Sequence, residues 1–186
     1  MDISYFKENL LTVVNKMNKL LSEGEALFSK ERIGLNVDEC FYTDNHFSEA
    51  DRKVCKETLL KYKDQLTLER SFYENFHRTN LSEVEAHLGN LSEKNRAIFW
   101  EELFSSLLRK QEIRLKINSS KAIATATVVD ILDLIDKHSE SFSIADDEIR
   151  FASYAVQSKY EELIKIVDEN LEIQYQLGQL QRSVNA

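Results

Sequence analysis

A chain of 186 residues is sized for one domain. With 42% hydrophobic and 30% charged residues it is too apolar to be disordered, and the absence of Pro with only four Gly predicts long helices. The formal net charge of −8, from 24 Lys and Arg against 32 Asp and Glu, argues against nonspecific adhesion to nucleic acid or anionic membranes.

The opening, Met1 to Phe6, has neither a basic region nor a continuous apolar run, so no cleavable export signal is expected. In the first predicted helix, from about Ile3 to Ser29, Phe6, Leu10, Val13, Met17, Leu20 and Leu27 keep an a and d stride, and Val14, Leu21 and Phe28 widen it through e positions. Such a broad stripe suits burial against two neighbours. Gly24 falls on an a position, where it costs roughly 1 kcal/mol against Ala, so fraying or a bend is expected at this end.

Between Lys30 and His46 the periodicity fails, predicting a long connection in which Ile33 to Val37 is the one candidate strand. Ser48 and Asp51, with Phe47 before them, form a capping box with a hydrophobic staple and start the second helix. It continues through Cys55, Leu59, Tyr62, Leu66, Tyr73 and Phe76, with Glu69 occupying a core-type place. The aromatic group Phe72, Tyr73 and Phe76 is expected in the core.

Thr79 and Asn80 predict a break, Ser82 and Glu85 a second capping box, Gly89 a stop and Ser92 a fresh cap. Beyond it Ile98, Phe99, Trp100, Leu103, Phe104, Leu107 and Leu108 make a wide apolar face, expected at the centre of the core. Glu112 to Ile117 alternates with period two, but continued helix is the expectation because strands are otherwise absent. Asn118, Ser119 and Ser120 predict another break. Lys121 to His138 reads as an inner helix, Ser139 to Ser143 as a short polar link, and Asp146, Asp147 and Glu148 as the acidic first turn of the final helix.

That last helix carries a heptad register through Ile149, Ala152, Val156, Lys159, Leu163, Ile166, Asn170, Ile173, Leu177, Leu180 and Val184. An Asn at such a position fixes register and partner number at a cost in stability, because its amide is satisfied only opposite a matching group. From Ile173 the stripe narrows and glutamines surround it, the pattern of a seam wanting one partner helix. The expected partner-binding set is Asn170, Ile173, Leu177, Leu180 and Val184, with 173–186 projecting as an oligomerisation segment of a single helical domain spanning 1–186. The alternative is that this segment packs on helix one of its own chain.

Arg70 and His77 are the sharpest catalytic candidates. A histidine transfers protons near neutral pH and a guanidinium steadies a phosphate. Their spacing resembles the Arg, four to six residues, His motif of the HEPN family, helical proteins that include RNases, where such a pair acts on the 2′-hydroxyl and the scissile phosphate. The resemblance covers only Arg70 to His77, and Ser71 stands where the family often has a polar amide.

Glu74 and His77 form a Glu-x-x-His step like half of a di-iron site, but no second step exists, so no metal site is expected. Cys40, His46 and Cys55 lack zinc-ribbon or zinc-finger spacing, and two cysteines without a CxxC pair fit a reducing cytoplasm. Arg109, Lys110, Arg114, Lys116 and Lys121, with Glu112 among them, form a basic run. It reads as a patch for nucleic acid or an acidic partner, or as a helix face complementing nearby acids.

The sequence therefore predicts an all-α helical bundle of five or six helices with a long C-terminal heptad helix and no cofactor. It reads as a non-catalytic interaction module, a regulator or inhibitor acting by surface contact with a protein partner or a second copy, without a membrane. The alternatives are a HEPN-like ribonuclease using Arg70 and His77, and a nucleic-acid-binding protein using 109–121.

Overall fold

The computed structural model describes residues 3–89, 91–99, 101, 105–146 and 148–185; the side chains of 3–7, 9, 10, 81, 87, 99, 105–107, 184 and 185 lie outside that description. Five α-helices are described: α1 (Ile3–Leu35), α2 (Glu49–Leu88), α3 (Glu93–Phe99), α4 (Ser105–Lys137) and α5 (Tyr154–Asn185). Two 3-10 turns, Val37–Phe41 and Thr43–His46, link α1 to α2, and a hairpin of β1 (Phe142–Ala145) and β2 (Glu148–Phe151) links α4 to α5. The fold is an all-α helical bundle with one small antiparallel sheet.

The long helices run alternately up and down. Gly24 of α1 lies against Phe72 of α2, Asn118 of α4 bonds to Leu66 of α2, and Ser120 of α4 bonds to Asn170 of α5. Each consecutive pair is therefore antiparallel, as in an up-down-up-down bundle.

Local chemistry sets several helix ends. Ser48 Oγ accepts from the Asp51 backbone N–H at 3.0 Å, the N-cap half of the capping box expected there. Gly89 ends α2, and α3 begins one residue after Ser92. Asn36 closes α1 in the left-handed region (φ 54°), a conformation Asn tolerates better than other non-glycine residues.

The core packs α2, α4 and α5 together. Leu59 and Leu66 of α2, Ile131 and Ile135 of α4, and Leu163 and Val167 of α5 meet there, joined by Val37 and Cys40 from the first 3-10 turn and by Ile149 and Phe151 from β2. The segment expected to hold its centre is described only in part. Ile98 and Leu108 are exposed, while Phe99, Trp100, Leu103, Phe104 and Leu107 lie outside the described side chains. The expected core role of Tyr73 holds, with Phe72 and Phe76 half-buried beside it.

Other differences share one cause: polar residues that look like punctuation are hydrogen-bonded inside continuous helices, two of them across to a neighbouring helix. Asn80 sits inside a continuous α2 and bonds to Phe76 O at 2.6 Å. Asn118 and Ser120 sit inside a continuous α4, bonding to α2 and α5 respectively. The region from Glu112 to Ile117 is helical, as expected. Ile33 to Leu35 belongs to α1 rather than to a strand.

At the other end, α5 begins at Tyr154, so Glu148 is not in its first turn, and Asp147 lies outside the described residues. Glu148, Ile149, Arg150 and Phe151 alternate exposed and buried as β2, so Ile149 enters the core from a strand.

Candidate functional site

Arg70 and His77 lie two turns apart on α2, about 10 Å along the axis and on one face. Arg70 is exposed, with Nε 2.9 Å from Glu74 Oε1 and Nη1 3.4 Å from Ser119 Oγ. Burial lowers the pKa of half-buried His77. A carboxylate one turn from the guanidinium, between it and His77, opposes the charge of a phosphate bound there. Among the described residues no group of three or more His, Cys, Asp or Glu could hold a metal ion.

The basic run divides by helical periodicity into two faces. Lys110, Arg114 and Lys121 fall on the inward side of α4, while Arg109 and Lys116 fall outward. Arg114 Nε lies 2.6 Å from Glu25 of α1, Lys116 pairs with Glu112 at 3.3 Å, and Lys121 Nζ lies 3.8 Å from Glu69. Three of the five cations thus face acids within the fold.

On α5 the buried stripe is Tyr160, Leu163, Val167 and Asn170, continued by half-buried Gln174 and Leu177. Asn170 is 8% exposed: its Oδ1 accepts from Ser120 Oγ at 3.0 Å and its Nδ2 donates to Ile166 O at 2.8 Å. Its amide is satisfied inside the bundle. Ile173 is 43% exposed and Leu177 and Leu180 are half-buried, while the Val184 side chain lies outside the described residues. The antiparallel register places the last turns of α5 beside the first half of α4.

The feature that sequence reasoning passed over is a polar interior between α1, α2 and α4. Glu69, noted only as a charge at a core-type place, accepts from Tyr73 Oη at 3.1 Å and from Asn118 Nδ2 at 3.5 Å. Burial, then the charge of Glu69, pushes the Tyr73 hydroxyl pKa well up. Lys121 is pulled down by burial, against the pull of Glu69.

Two adjoining cavities open onto this interior. A polar chamber of about 200 Å³ is lined by Glu25, Ser29, Gln65 and Glu69, and an apolar one of about 290 Å³ by Val37, Phe41, Tyr42 and Leu171. Arg32, Tyr62 and Lys121 line both. The available signals were Glu69 on an apolar stripe and Arg114 and Lys121 seven residues apart, which put buried charge on two helices at once.

No protein-family model, curated protein or solved structure matches this chain. Among the described residues no helix is long and apolar enough to cross a membrane.

Proposed function

We propose that the protein is a non-catalytic helical interaction module, a regulator or inhibitor working by surface contact in the cytoplasm, and that it pairs with a second copy through the outer groove of α4 and α5. The carrying observation is an uncovered apolar flank. Ile166, Ile173 and Leu180 lie within about 40° of one another around α5, beside its buried stripe. Ile173 is 43% exposed, and Ile123, on the neighbouring flank of α4, is 49% exposed.

An apolar strip of this kind, narrow and bounded by polar positions, suits one helix laid along it. Asn170 and Leu177 turn toward α4 and support the strip from within. The free thiols of Cys40 and Cys55 accord with a reducing compartment.

Sedimentation equilibrium tests the reading. The intact chain is expected to dimerise with concentration, and Ile173→Asp with Ile123→Asp, both at exposed positions, to remain folded and monomeric. An intact chain that is monomeric at every accessible concentration refutes the pairing.

A further inference from the structure

A third cavity, of about 420 Å³, opens along α5 where β2 and the second 3-10 turn lie beside it. Tyr160 lines it, 7% exposed, and its hydroxyl makes no hydrogen bond among the described residues. That hydroxyl is nonetheless open to solvent, unlike Arg32 Nε or Gln65 Oε1, which are sealed in the interior. Burial, then the charge of Glu148, pushes its pKa up to about 12, so it stays a neutral phenol that accepts as well as donates. Glu148 lines the same cavity, which places the hydroxyl on the cavity side of the ring.

The walls carry an excess of acid. Glu148, Glu161 and Asp168 stand against one cation, Lys165, whose Nζ is drawn to Glu169 at 3.7 Å. Glu161 is held in place: its Oε1 accepts from Gln157 Nε2 at 2.8 Å, and Gln157 Oε1 accepts from the Phe151 backbone N–H at 2.8 Å. Asp168 meets no cation among the described residues. Three carboxylates against one ammonium leave two negative charges, which call for a dication. A metal ion does not fit, because among the described residues no three His, Cys, Asp or Glu converge. Glu161 and Asp168 lie two turns apart on one face of α5, about 10 Å along its axis, so the two positive charges must be separated. Ile164 lies between them and Ile149 opposite, an apolar wall suited to methylenes. The volume falls within the roughly 300–1,000 Å³ of small-molecule sites.

We infer that this groove binds a linear aliphatic diamine, one ammonium donating to Glu148, Glu161 and the Tyr160 hydroxyl, the other to Asp168, with its methylenes along Ile149 and Ile164. By helical periodicity the groove lies on the opposite side of α5 from Ile166 and Ile173, so it is independent of self-association.

Isothermal titration of the full chain with 1,6-diaminohexane tests the assignment, beside magnesium chloride and 1-aminohexane, which stands for a single lysine side chain. The diamine is expected to bind one-to-one and 1-aminohexane about three-fold more weakly, the worth of one exposed ion pair. Asp168→Asn should erase that difference. Tyr160→Phe should weaken the diamine by about ten-fold, the worth of a hydrogen bond to a charged group, and it leaves the fold intact because the hydroxyl bonds to nothing within it. Glu162→Gln removes an exposed acid of α5 that does not line the cavity, and affinity should be unchanged. Absence of saturable binding, equal affinity for the monoamine in the native protein, or displacement of the diamine by an equal concentration of magnesium overturns the proposal. So does unchanged affinity in Tyr160→Phe, or a loss in Glu162→Gln as large as in Asp168→Asn, which would mark diffuse attraction to an acidic surface.

Discussion

Gly24 provides a sharp test of how α1 meets α2. A Cβ at this position would stand 2.4 Å from Cζ and 2.8 Å from Cε1 of Phe72. Carbon contacts prefer about 3.5–4.0 Å, so the ring must retreat by about 1 Å. It is hemmed in by Phe28 and Tyr73, each 5.6 Å away between ring centroids, and by Phe76 at 5.9 Å. Overpacking of this kind costs about 1–3 kcal/mol, whereas Gly→Ala within a helix returns about 1 kcal/mol of propensity. Gly24→Ala should therefore be net destabilising by about 1 kcal/mol.

Gly178 provides the control, because a Cβ there meets nothing within 4 Å and α5 continues on both sides. Gly178→Ala should stabilise by about 1 kcal/mol, placing the two variants about 2 kcal/mol apart. Equilibrium urea denaturation reads both, and adding Phe72→Leu to Gly24→Ala should recover part of the loss. A Gly24→Ala variant as stable as Gly178→Ala would refute the close approach.

Arg52 is 3% exposed and bonds Asp136 Oδ1 at 2.5 Å and the carbonyl oxygens of His46 and Phe47 at 3.0 Å, so Arg52→Met removes a donor from each and strands the two carbonyls. Because Lys56 still holds Asp136 at 2.6 Å, the loss in urea denaturation should sit near the lower end of about 3–5 kcal/mol, and a loss under about 1 kcal/mol contradicts the pairing. His46 is buried with Nε2 2.9 Å from Cys40 O; burial, then the charge of Arg52, lowers its pKa against the opposing pull of that carbonyl. The unfolded chain then takes up the proton first, near its ordinary value of about 6.5, so the stability contribution is full above that pH and is lost as pH falls toward the folded value. Thermal denaturation between about pH 7 and 5 should show this loss in the native protein and a flatter profile in His46→Gln; equal slopes would rule out His46 as its source.

Features decided within a few residues were legible in the sequence: the all-α class, the Ser48 cap, the Gly89 stop and the start of α3 after Ser92. Each is a short-range matter of backbone groups finding nearby partners, or of a stripe recurring every three to four residues. Tertiary packing decided the rest. On α1, Met17, Leu21 and Gly24 were drawn inward while Leu20 and Leu27 stayed exposed. Periodicity marks a broad stripe but not which edge a neighbour covers.

The same limit hid the polar interior. Arg32, Gln65, Glu69 and Lys121 come from three helices, and Glu25 and Arg114 are 89 residues apart in the chain. Asn118 and Ser120 are indistinguishable from helix caps until α2 and α5 supply their acceptors. β2 was hidden for a related reason: the Ile149 that opens a plausible heptad is equally at home on a strand, and only the pairing of Phe142 with Phe151 over the end of the core selects between them. Local sequence fixes which conformations a segment can take, and the choice among them belongs to partners that only the folded chain brings near.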